Sequence, residues 1–226
     1  CIKCRTSCSG GNSLFGIDRV FGIKVTMKKY GRTFHLPSSP GATRDDKLMS
    51  SIDGLKVDRL VATEKMDGEN TTIHQLGSHA RSPESRNHPS RDWLKAFAAG
   101  ISHQLYNDER IIGENVFARH SVAYENLPSY FLGFAWVVGD LVQSWQDTLD
   151  RFEELGVTPV PVLYRGPYHA DLFANLASAL DTQKQEGFVV RVERAFLEKE
   201  MPTVLGKYVR AGHVQSDIHW MNAETI

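Results

Sequence analysis

Lys65 lies in the stretch "ATEKMDGENTTIH", Ala62 to His74, and is followed closely by Asp67 and Gly68, with Asn70 two places beyond the glycine. A lysine walled by Leu60, Val61 and Met66 either snorkels its ammonium to water or has its pKa lowered so that the neutral amine is a nucleophile. The stretch alone leaves both readings open. Asp67 and Gly68 read as a tight turn that would let backbone approach a ligand closely, and Asn70 adds a neutral hydrogen-bonding group. Glu114 in "GENVFARH" and Glu186 in "QEGFVVR" each stand beside a glycine next to an apolar run, and "GKYVR" places Lys207 and Arg210 near the end. A lysine nucleophile, two spaced carboxylates and a late basic pair suit nucleotidyl transfer. Phosphorus needs cationic clamps, a metal needs a carboxylate, and ribose hydroxyls need an acceptor.

These residues need strands and turns to hold them. "RLVATEK" and "NTTIHQL" read as strands flanking a turn, and "RIIGENVFA" and "YFLGFAWVV" as further strands. "RDWLKAFAAGISHQL" reads as an amphipathic helix entered through Pro89 and Ser90. "SWQDTLDRFEELG" is a helix with Ser144 as N-cap, Asp147 in the first turn and Gly156 as its stop. "TPVPVLY" reads as an edge strand because of its prolines, "ADLFANLASAL" as a helix, and "GFVVRVE" and "VLGKYVR" as late strands. Short strands mixed irregularly with helices indicate an α+β fold.

The 226 residues carry a formal net charge of -1, so no global positive field argues for nucleic acid and any such partner needs a local patch. The apolar run Tyr130 to Val138 is far too short to span a bilayer, and no basic-then-apolar leader opens the chain. No membrane association is expected, and an intracellular, cytoplasmic location is. Cys1, Cys4 and Cys8 are the three cysteines, which leaves no disulfide framework. Their spacing could be part of a zinc site, but no second Cys or His cluster completes it. Residues 1–26 differ in texture from the remainder of the chain, and Met27 could be the natural start. The expected organisation is a flexible extension over 1–26 and a domain over 27–226. No Gly-x-x-x-x-Gly-Lys-[Ser/Thr] pattern occurs, which disfavours an ordinary kinase or ATPase.

"EKMDG" resembles motif I, the Lys-x-Asp-Gly signature of the covalent nucleotidyltransferases: ATP-dependent DNA ligases, RNA ligases and mRNA capping guanylyltransferases. "ARS" (80–82) looks like motif Ia, "IIGEN" like motif III, "YFLGFAW" like motif IIIa, "EGFVVR" like motif IV and "LGKYVR" like motif V, in family order across 59–210. Asn two places after the motif I glycine is similar to the small, phage-like ATP-dependent RNA ligases, where the other branches usually carry Arg. The resemblance implies an adenylyltransferase (ATP-grasp-like nucleotidyltransferase) domain of antiparallel sheets flanked by helices. Only 16 residues follow Arg210, so no OB domain is expected.

By the same resemblance, Lys65 attacks the α-phosphate of ATP to become lysyl-AMP, with neighbouring Lys207 and a bound cation favouring loss of its proton. Glu64 helps recognise adenine, Asn70 and Arg81 serve the nucleotide, Glu114 binds ribose hydroxyls, and Phe134 stacks on adenine with Phe131 as a rival. Glu186 helps hold Mg²⁺ (or Mn²⁺), and Lys207 contacts the α-phosphate. Strand periodicity turns Arg210 away from Lys207, and Ala135 stands where the family commonly has an acid. "ARSPESRNHPSRDWLKAF" supplies a local basic patch of Arg81, Arg86, Arg91 and Lys95 with His88 and Trp93, suited to phosphate contacts or simply a solvated face. His213 and His219 could serve the same end. The implied function is RNA repair: AMP transfer to a 5'-phosphate RNA end and sealing to a 3'-hydroxyl. A DNA ligase, a capping guanylyltransferase or an inactive end-binding module are the alternatives.

Overall fold

A computed structural model describes residues 27–82, 88–118, 121–122 and 124–212. The cysteines, Arg86, His213, His219 and the expected extension over 1–26 lie outside them. The strands are β1 (Phe34–His35), β2 (Leu60–Glu64), β3 (Glu69–His74), β4 (Gly77–Ala80), β5 (Glu109–Asn115), β6 (Phe131–Val138), β7 (Leu141–Val142), β8 (Thr158–Pro159), β9 (Val162–Gly166), β10 (Gly187–Val192), β11 (Phe196–Leu197) and β12 (Leu205–Val209). The helices are α1 (Asp92–Ser102), α2 (Trp145–Leu155), α3 (Leu172–Ala179) and α4 (Met201–Val204). One sheet runs β1-β12-β10-β2-β9; the other runs β11-β7-β6-β5-β3-β4, with β8 joining β6. Pairing is antiparallel except for β1 with β12 and β6 with β8. This is the expected α+β class, and the described residues contain no separate OB barrel.

The period of two in each strand decides what it buries. On β5, Ile111 packs against Leu94, Ala98 and Ile101 of α1 and Phe152 and Leu155 of α2. Its neighbour Ile112 turns to the opposite face and joins Ala135, Val137 and Val142. Burying Phe152, 1% exposed, stabilises by roughly 1.5–3 kcal/mol. Helix α2 begins as its sequence requires: the Ser144 hydroxyl accepts from the Asp147 N–H at 3.1 Å, a cap worth about 1 kcal/mol. It stops at Gly156, whose φ of 68° is left-handed.

"TPVPVLY" is two strands rather than one. Thr158–Pro159 pairs with β6 in one sheet, and Val162–Gly166 forms the β9 edge of the other. Pro159 and Pro161 lack N–H groups and interrupt the ladder, so the chain changes sheets between them. The two-residue strands β1, β7 and β11 and the one-turn helix α4 are too short to carry a readable period.

Candidate active site

β2 ends in one sheet at Glu64 and β3 begins in the other at Glu69, so Lys65 to Gly68 is a crossover rather than a hairpin turn. It lies beside the second crossover, the Glu64 N–H donating to the Pro161 carbonyl at 2.8 Å. The Lys65 N–H donates to the Gly187 carbonyl at 2.9 Å, and its ammonium donates to the Glu186 carboxylate. A Cβ on Gly68 would stand 2.5 Å from the Asn115 carbonyl oxygen. Gly68 is therefore required by close passage against β5, a constraint that the sequence did not show. The Asp67 carboxylate accepts from the Val122 N–H at 2.9 Å and the Ser121 hydroxyl at 2.5 Å, while its own N–H donates to the Tyr124 hydroxyl at 2.7 Å.

Over this crossover opens a cleft of 280 Å³ lined by Glu64, Lys65, Asn70, Arg81, Glu114, Phe134 and Lys207. Seven of the eight residues singled out in the sequence thus meet. The eighth, Glu186, is 5% exposed and lies against Lys65. Register explains the convergence. Asn70 faces Glu114 across β3 and β5, and Thr63, Val189 and Lys207 form one rung across β2, β10 and β12. Between β5 and β6 the pairing passes from Ile112 with Ala135 to Gly113 with Gly133, leaving Phe134 as the extra residue of a bulge. The bulge re-aims Phe134 into the cleft, 5.7 Å from the Tyr30 ring. Phe131 is fully buried with Phe152 and Leu155 beneath the helices, which removes it as a rival. Arg210 donates to the Gln185 carbonyl at 3.0 Å and does not line the cleft.

Burial disfavours the Lys65 ammonium, but the carboxylates of Glu186, Glu114 and Asp67 outweigh it and hold the pKa above the ordinary lysine value. These carboxylates favour the ammonium form of Lys65 where no cation or nucleotide is bound. Lys207 moves the other way, lowered by burial and by Lys65, with Asp46 3.8 Å from its ammonium opposing. Burial pushes Glu114 up to about 8, assisted by Glu186 and Asp67 against the pull of Lys65. Glu64 is raised by burial and accepts from the Gln185 amide at 3.0 Å.

The patch read from "ARSPESRNHPSRDWLKAF" separates into different fates. Arg91 is paired bidentately with Glu69, Lys95 with Asp92 at 3.1 Å, and His88 Nδ1 lies 2.7 Å from the Ser90 hydroxyl. Trp93 stacks on Phe97. Among the described members only Arg81 faces the cleft. Sequence reasoning missed Tyr30, Arg32, Asp46 and Arg191, which also line it. The first three sit in irregular segments, and Arg191 reads as one polar residue in an ordinary strand.

No group of three or more His, Cys, Asp or Glu side chains suited to a metal occurs among the described residues. Glu186 and Glu114 beside the cleft are hard oxygen donors, which fits a cation completed by substrate phosphates and water rather than a protein-only cage. The carboxamide oxygen of Asn70 is buried and has no hydrogen-bond partner among the described residues, an orphan that a polar ligand in the cleft would satisfy.

The profile of the RNA ligase family matches residues 58–209, and the chain belongs to that family. Its fold is shared with an archaeal ATP-dependent RNA ligase at 17% identity and a TM-score of 0.58, covering 81% of this chain and 48% of that one. A Naegleria gruberi RNA ligase solved with pyrophosphate aligns at 17% identity and 0.54, covering 82% and 56%. A variant of that enzyme solved with ATP and Mn aligns at 14% and 0.55, covering 83% and 58%. The chain spans about half the length of the solved proteins it matches. No curated protein sequence matched significantly. Among the described residues no helix is long and apolar enough to cross a membrane.

Proposed function

We propose that the chain is the nucleotidyltransferase domain of an ATP-dependent RNA ligase that seals RNA ends in the cytoplasm. The observation that carries this reading is the meeting of Lys65, Lys207, Arg81, Glu114 and Phe134 in one cleft, with Lys65 on the crossover at its floor. ATP is the co-substrate. Phe134 stacks on its adenine beside Glu64, Glu114 and Asn70 hold the ribose, and Lys207 and Arg81 face the phosphates. Glu186, with Glu114 nearby, would hold Mg²⁺ or Mn²⁺, which when bound neutralises phosphate charge.

Lys65 first loses its proton, for which the touching Glu186 carboxylate is the nearest acceptor. Its Nζ lone pair then attacks the α-phosphorus: an N–P bond forms, the α–β P–O bond breaks, and pyrophosphate leaves with the electron pair. A 5'-phosphate oxygen of RNA next displaces Lys65 from the phosphorus and returns the amine. Finally a 3'-hydroxyl attacks the activated end, its proton lost, and AMP departs.

Incubation with a divalent cation and ATP labelled at the α-phosphate is expected to give label that survives denaturation. The label is absent with GTP and in Lys65→Ala, and is chased onto 5'-phosphorylated RNA in preference to DNA. An unlabelled wild-type protein that mass spectrometry shows to carry no AMP would sink this reading.

A further inference from the structure

Arg32 and Arg81 both line the cleft, and neither guanidinium has a carboxylate within ion-pair distance among the described residues, although most other described arginines are paired. Burial lowers the Arg81 pKa, and Arg32 is the next largest cause. The two guanidiniums therefore repel each other in a partly desolvated setting, an arrangement that an anion relieves.

The segment carrying Arg32 is pinned on both sides. Lys28 donates to Asp140 at 2.5 Å and to Glu198, and Tyr30 is 6% exposed against Phe134. A Cβ on Gly31 would stand 2.7 Å from Met201 Sδ, so the backbone there lies close against α4. After Arg32, β1 is tied to β12, with Phe34 opposite Gly206. Arg32 itself is exposed. Anchors on each side of an exposed, unpaired arginine hold its Cα fixed at the cleft without an internal partner for its charge.

Resting on the function proposed above, we propose that Arg32 and Arg81 form a second phosphate clamp, separate from the Lys65 and Lys207 pair, that takes the terminal phosphates of ATP and then the leaving pyrophosphate. Two forked donors can share the oxygens of a diphosphate, which a lysine presents to only as a point charge. The RNA 5'-phosphate has the same chemistry and is the other source to separate.

Titration of the purified full chain with inorganic pyrophosphate reads the clamp directly and does not depend on ATP turnover. Arg32→Ala is expected to weaken pyrophosphate binding about tenfold or more, and Arg32→Lys to recover only part of it. Arg32→Ala should also slow single-turnover adenylation of Lys65, while AMP transfer from adenylated protein to 5'-phosphorylated RNA is retained. If the RNA step alone falls and pyrophosphate binding holds, the clamp serves the RNA end and the assignment to ATP is overturned. Unchanged behaviour in all three assays, or a wild-type protein that does not bind pyrophosphate, overturns the clamp itself. A wild-type protein that binds pyrophosphate but is never adenylated indicts the ligase reading instead.

Discussion

Lys65 is bonded to two consecutive residues: its ammonium meets the Glu186 carboxylate, and its backbone N–H donates to the carbonyl of Gly187. In the reaction proposed above Lys65 attacks as an amine, yet its carboxylate neighbours raise its pKa although burial opposes this. Only the neutral fraction reacts, and below the pKa that fraction grows tenfold per pH unit. Single-turnover adenylation at saturating ATP should rise with a slope of about one in log rate against pH between about pH 6 and 9. A flat profile, read by quenched-flow labelling, would mean that the proton is already gone in the ATP complex.

Phe131 and Phe134 stand three residues apart on one strand and face different worlds. Phe134→Ala should raise the KM for ATP about tenfold, given about 1–3 kcal/mol for stacking on a base, with a modest loss of stability. Phe131→Ala, at a fully buried site, should cost about 3–5 kcal/mol in urea denaturation. Equal effects on KM from the two variants would contradict the placement of the bulge.

Gly68→Ala tests the crossover. Its new methyl must displace the Asn115 carbonyl, which is backbone and cannot swing aside. Adenylation should fall by at least about tenfold, since a 1 Å misplacement of a reacting group costs about a hundredfold. Wild-type adenylation by Gly68→Ala would show that the loop has slack.

Arg91→Ala should behave as a structural variant. Both partners of the Arg91 and Glu69 pair are only 11–12% exposed in their side chains, and removing one member of a buried pair costs about 3–5 kcal/mol. The melting temperature should drop, while the salt dependence of RNA binding keeps its slope. A shallower slope with unchanged melting would restore Arg91 to the RNA-binding surface.

His74, 5% exposed, has its pKa lowered to about 4 by burial and by neighbouring His79. In the unfolded chain it takes up a proton near pH 6.5, so the unfolded state binds more protons as pH falls from there towards 4. The native state thus loses stability over that window, by about 3 kcal/mol at most. His74→Gln should flatten the decline in melting temperature between about pH 6.5 and 4, and an unaltered slope would show that other groups drive it.

The sequence was most readable where chemistry and strand coincide. Lys65, Glu114, Glu186 and Lys207 each lie in or beside a short apolar strand, so their neighbours announce the element that carries them. Phe134 was half readable: its type suggested stacking, but the bulge that aims it depends on pairing with β5. Arg32 and Tyr30 belong to an irregular segment whose place is fixed by partners more than a hundred residues away, such as Glu198 and Met201. The neutralisation of Arg91 was equally hidden, because Glu69 lies on a different element.

The chain passes between the two sheets at Lys65–Gly68 and again at Pro159–Pro161, and Glu64, the last residue before the first passage, is hydrogen-bonded to Pro161 in the second. Lys65 therefore hangs from backbone moored to both layers, bonded to Gly187 on one side and followed by Gly68 pressed against Asn115 on the other, so a shift of either sheet is felt directly at its amine.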